Sequence, residues 1–172
     1  LSGTFRPEQL ATVTFGGDVV DGHLGPENAE IIQMHSVIYN TRDEIAAVID
    51  THSPAATAFA LANASLPCRT EPLLRFGQSQ PVPVVPWGPR GSDVSVKGIA
   101  RVLAENPGTN AVLLGNHGLL AFGPDPVATG RLVIAIEESA AAELGAAALG
   151  GAADFPSGAL DAVQAEMKTP RR

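Results

Sequence analysis

The chain has 172 residues, 45% hydrophobic and 17% charged, with a net charge of −7 from 11 basic and 18 acidic side chains. That length and apolar share suffice for one folded domain and exclude a disordered chain, while the acidic balance argues against nucleic acid or an anionic membrane as partner, since both need a clustered basic face. One cysteine, Cys68, excludes an intramolecular disulfide framework and fits a reducing, cytoplasmic setting, and no run of ~20 apolar residues offers a transmembrane helix.

Taken in chain order, Leu10 to Val20 read as short strand segments around the turn Gly16-Gly17-Asp18. A helix is expected from about Asn28, because Ile31, Met34, His35 and Ile38 recur on one face at helical spacing. A short buried strand follows over Ala46 to Asp50. Ser53-Pro54 then reads as an N-cap and first-turn pair for a helix to about Asn63. Leu66 to Trp87, rich in proline and short apolar runs, reads as strand and loop. A helix from about Asp93 to Glu105 ends at Asn106-Pro107-Gly108. Ala111 to Leu114 and Leu119 to Phe122 form a strand pair around Gly115-Asn116-His117-Gly118. Pro124-Asp125-Pro126 opens the longest helix, to about Leu149, with Glu137 and Glu138 expected on its solvated face. A short helix near Leu160 to Met167 lies in the tail, residues 151–172. Strands and helices mixed in one unit of residues 1–172 indicate an α/β or α+β fold.

The polar residues with chemical potential are few. Successive strand side chains alternate faces, so Asp50 and His52 share one face and Thr51 the other. Two readings stay open: a polar strand end facing water, or a carboxylate and an imidazole gripping a borderline divalent cation. His117 is the third candidate, because it interrupts an apolar stretch with glycines on both sides. His35, on the apolar helix face, reads as a hydrogen-bonded core histidine. Ser53 at a helix start offers backbone N–H donors to an anion.

Three segments together, EIIQMHSVIYNTRDEIAAVIDTHSP (30–54), PWGPRGS (86–92) and LLGNHGLLAFG (113–123), resemble the class II aldolase/adducin family. The resemblance runs from about Ser2 to Ala148. It implies a single-domain αβα sandwich with a mostly antiparallel central sheet. It also implies a cyclic homotetramer with active sites at subunit boundaries. The chain starts at Leu1 rather than Met, and the family's phosphate loop would precede it, so the N-terminus is expected to be incomplete. In the family, a His-x-His strand end and a histidine of the HG block bind the metal. Here those positions are Asp50, His52 and His117, with zinc expected first and iron(II) or manganese as alternatives. The aspartate is the departure. A negative ligand weakens Lewis acidity and moves the set toward iron(II).

The family's catalytic acid falls on Glu30, one residue early by its spacing to His35, with Glu27 as competitor. Without the resemblance, Glu30 is a first-turn glutamate favoured by the helix dipole by ~0.3–1 kcal/mol. Ser2, Gly3 and Asn28 are the substrate-binding positions that the resemblance implies. The function expected first is a metal-dependent lyase that makes or breaks a carbon–carbon bond in a small, sugar-like hydroxy-carbonyl substrate through a stabilised enediolate. The alternatives are a non-haem iron(II) oxygenase or decarboxylase with two histidines and one carboxylate, and a non-catalytic adducin-like domain.

Overall fold

The computed structural model describes residues 6–89 and 92–168. After a 3-10 turn over Pro7–Gln9 comes a two-stranded antiparallel ribbon, β1 (Thr12–Val13) and β2 (Val19–Asp21). A 3-10 turn over Pro26–Asn28 leads into α1 (Ala29–Thr41), and β3 (Ala47–Thr51) and α2 (Pro54–Leu61) follow. Next come α3 (Glu71–Arg75), β4 (Val84–Val85), α4 (Val94–Glu105), β5 (Ala111–Leu114), β6 (Gly118–Gly123), α5 (Pro126–Ala147) and α6 (Ala159–Lys168).

The central sheet has the order β3-β6-β5-β4. Its β3–β6 and β6–β5 pairs are antiparallel, and only β5–β4 is parallel. The period-2 alternation of β5 and β6 explains the layers. Ala111, Leu113, Leu119 and Ala121 point to one face, where they pack with Ala56 and Ala60 of α2 and Leu132, Ala135, Ile136 and Ala140 of α5. Val112, Leu114, Leu120 and Phe122 point to the other, against Met34 and Ile38 of α1 and Ile99, Val102 and Leu103 of α4. Both faces are therefore covered, which is why these two strands are apolar throughout. Burial of each such leucine contributes ~1.5–3 kcal/mol. The expected αβα sandwich with a mostly antiparallel sheet is what these contacts build.

Two differences from the sequence reading have local causes. The segment expected to be strand and loop contains α3. Its start carries Pro72, where the missing N–H costs nothing, and Arg75 Nε donates to Glu71 Oε1 one turn back at 2.6 Å. Asn63 lies past the end of α2 in the left-handed region, at φ 51°. Arg42, just after α1, donates to the carbonyls of Thr109 (2.6 Å) and Asn106 (3.1 Å), tying α1 to the α4–β5 connection. Among the described residues, no helix is long and apolar enough to cross a membrane.

Candidate metal centre

The site forms at the ends of β3 and β6 on the α1/α4 side of the sheet. Asp50 pairs with Leu120 in register, so its side chain shares that face with the core leucine. His52 follows one residue beyond β3. His117 closes the three-residue loop 115–117 between β5 and β6, whose flanks Leu114 and Gly118 are register partners. The loop is tight. Asn116 sits at φ 57°, its N–H donates to the Ala60 carbonyl at 3.3 Å, and the His117 N–H donates to the Leu114 carbonyl at 2.9 Å. Asparagine tolerates this left-handed backbone better than most residues. Gly118 is required by close approach. A Cβ there would stand 2.5 Å from the Thr51 carbonyl oxygen and 3.2 Å from His52 Cδ2, so the bare glycine is the floor on which His52 lies.

The two imidazoles converge. His52 Nε2 and His117 Nε2 are 3.2 Å apart, with ring centroids at 4.9 Å and planes tilted by 46°. Asp50 Oδ2 lies 3.4 Å from His117 Nε2. The other carboxylate oxygen, Asp50 Oδ1, is buried without a hydrogen-bond partner. Among the described residues, no three His, Cys, Asp or Glu side chains are arranged as a complete set of metal ligands. The assembled part is the histidine pair, and Asp50 joins it through His117. The residues nevertheless fit a divalent cation. Two donors ~2.05 Å from one ion at a tetrahedral angle stand ~3.3 Å apart, close to both measured edges. A carboxylate whose Oδ2 stands 3.4 Å from one of two converging nitrogens is the donor chemistry such an ion takes.

The donors head a cleft of about 390 Å³. Glu30, from the first turn of α1, lines it with Ile31, Met34, Trp87, Ser95 and Asn116. Trp87 is 60% exposed at this wall. Gly115 brings it there, since a Cβ on residue 115 would stand 2.9 Å from the Trp87 backbone nitrogen. Asn28 is not brought to this cleft. It lines a neighbouring one with Phe15, His35 and Tyr39, and its Nδ2 donates to the Gly25 carbonyl at 3.3 Å. Ser2 and Gly3 lie outside the described residues. Glu30, Asp50, His52 and His117 thus share one cleft.

Three further residues differ from their sequence reading. His35 is largely buried as expected, but its Nε2 has no hydrogen-bond partner. Burial pushes its pKa below the ordinary 6.5, and the charge of Asp50 partly opposes this. Ser53 does not cap α2, because its hydroxyl turns to Thr51 Oγ1 at 3.2 Å. Glu137 is half-buried rather than solvated. It accepts from the backbone N–H groups of Ala55 and Ala56, each at 2.9 Å, and so occupies the helix N-terminus that Ser53 offered to an anion. The Cys68 thiol, which burial pushes up in pKa, packs on the opposite face of the sheet and donates to the Gln78 carbonyl.

The described residues build an αβα sandwich with a cleft headed by two converging histidines and a carboxylate. Residues 2–144 match the Class II Aldolase and Adducin N-terminal domain, and the chain belongs to that family. It is 29% identical over 116 residues to the 5-deoxy-D-ribulose 1-phosphate aldolase of Bacillus thuringiensis serovar kurstaki, a match covering 67% of this chain and 51% of that protein. The chain therefore spans about half the length of the curated relative it matches. An L-fuculose 1-phosphate aldolase superposes with a TM-score of 0.77 at 24% identity, covering 96% of this chain and 74% of that one. The YgbL protein of Klebsiella pneumoniae gives 0.71 at 26% identity, covering 84% and 68%. The first of these structures shows the fold alone.

Proposed function

We propose that this chain is a metal-dependent lyase that cleaves or forms a carbon–carbon bond in a small hydroxy-carbonyl substrate. The observation that carries the reading is the 3.2 Å approach of His52 and His117 Nε2 at the head of a cleft that Glu30 also lines. His52, His117 and Asp50 would hold a divalent cation, zinc first, with iron(II) or manganese as alternatives. When bound, the cation supplies Lewis acidity to the substrate's carbonyl and hydroxyl oxygens. Aldol cleavage moves one proton from the hydroxyl of the departing carbon to the carbon next to the carbonyl. Glu30 is the carboxylate in the cleft that carries it. Trp87, Ile31 and Met34 line an apolar wall of the cleft, against which the carbon chain of the substrate would lie. The aldolase names of the relatives support a sugar-phosphate substrate. A homotetramer belongs to the same proposal and is checked by sedimentation.

The test starts from chelator-treated protein. Zn(II), Mn(II) and anaerobic Fe(II) are titrated against a chromophoric competitor, and aldehyde release is then followed from a panel of 1-phosphorylated and unphosphorylated ketoses. Trp87, the only tryptophan, reports ligand entry by its fluorescence. One ion per chain and metal-dependent aldehyde release are expected. Glu30→Gln keeps the ion and loses ~100- to 10,000-fold in turnover. Absence of binding by all three ions would overturn the lyase reading and leave a non-catalytic domain. The two-histidine, one-carboxylate donor set favours one second reading, an iron(II) oxygenase, which substrate-dependent oxygen uptake with Fe(II) and no aldehyde release would establish instead.

A further inference from the structure

We propose that Glu137 is a positioning residue for His52: anchored on α5, its carboxylate fixes the start of α2 and with it the turn from which the imidazole projects toward His117. The inference rests on the reading of His52 and His117 as a donor pair. The last register pair of β3 is Thr51 with Leu119, so His52 stands outside the ladder. The first helical bond of α2, from the Thr57 N–H to the Ser53 carbonyl, begins after it. Between strand and helix, the hydroxyl contact of Thr51 with Ser53 is local and weak. The Glu137 bonds are neither. Both carboxylate oxygens accept from successive N–H groups, Ala55 and Ala56, across 82 and 81 residues of sequence. They are charge-assisted and bidentate, and they meet the positive end of the helix.

A serine cap alone would satisfy an exposed helix start. A glutamate reaching over from the longest helix does more, because it references the position of residues 55–56 to α5. Helix α5 packs against both β3 and β6, the strands that carry Asp50 and lead out of His117. Glu137 therefore holds the His52 turn in the same frame as the other two donors. Outer residues that orient metal ligands typically change metal affinity by ~10–100-fold when lost.

The experiment compares Glu137→Ala and Glu137→Gln with Asp125→Ala. Asp125 caps α5 itself by accepting from the Ala128 N–H, so its loss reports the cost of a missing cap away from the site. Two quantities are read beside the melting temperature: histidine ring 15N signals in the metal-free protein, and Zn(II) affinity by chelator competition. Glu137→Ala is expected to shift the His52 ring signals and weaken Zn(II) binding ~10–100-fold. Glu137→Gln, which keeps the shape and one acceptor, falls between it and wild type and serves if the alanine variant does not fold. Asp125→Ala lowers the melting temperature and moves neither of the other readouts. If the Glu137 variants change only the melting temperature, as Asp125→Ala does, the inference is overturned. If wild type binds no Zn(II), the metal reading fails by itself, and the metal-free His52 signals still decide the role of Glu137.

Discussion

Asp50→Asn tests what the carboxylate at the head of the cleft is for. The Asp50 side chain is 13% exposed, and Oδ1 is buried with no partner. A buried acceptor left unsatisfied costs ~1–3 kcal/mol, and more when it carries charge. Asparagine has the same shape and no charge, and its amide can face His117 Nε2 as donor. The metal-free variant is therefore expected to be more stable than wild type by ~1–2 kcal/mol, or about 2–8 °C in Tm for a chain of this size. Saturating Zn(II) reverses the order. At 100 times the dissociation constant a bound ion adds ~2.7 kcal/mol to wild type, and the weakened site forgoes most of it. The assay is thermal unfolding of both proteins at pH 8, above the ordinary histidine range, in chelator and in Zn(II). A variant less stable than wild type in chelator would refute the reasoning, because the carboxylate would then be stabilising the empty fold.

Gly118→Ala places a methyl group 2.5 Å from the Thr51 carbonyl oxygen, a backbone atom that cannot rotate away. It should destabilise by ~1–3 kcal/mol and also weaken Zn(II) binding through His52; unchanged urea unfolding and affinity would count against the close approach. For His35, burial lowers the folded pKa below 6.5, with Asp50 opposing. The unfolded chain then takes up the proton first, so stability is full above 6.5 and declines as pH falls from there through the folded value. His35→Leu should flatten that decline between pH 7 and 5 in Tm measurements, and an unchanged slope would show that this histidine is not its source.

The sandwich was legible because its signals are local and periodic. Alternation in AVLL and GLLAFG, the helical spacing of Ile31, Met34 and Ile38, and Pro126 after Asp125 each determine an element within a few residues. Helix α3 escaped because five residues are too few to display a 3.6-residue period among prolines. The cluster at the head of the cleft was legible as residues: Asp50 and His52 by their spacing, and His117 by the glycines around it. Its support was not. The local rule assigned the start of α2 to Ser53, whereas the structure uses Glu137, and no neighbouring residue in the sequence signals a partner 82 positions away. Asn28 shows the converse: the resemblance put it with the substrate, while its amide closes a bond to Gly25 three residues back.

Strand β6 is hydrogen-bonded on both sides, to β3 and to β5, and Asp50, His52 and His117 lie where its beginning meets the end of β3. The places of Asp50 and of the loop that carries His117 are inherited from the ladder, whereas His52 lies one residue beyond it, in the turn before α2. On the proposed reading, an ion that leaves would find Asp50 and His117 already in place on its return, without a refolding step. On the same reading the corresponding sacrifice would be in tolerance, since strands paired on both sides reshape little around a cation of the wrong radius.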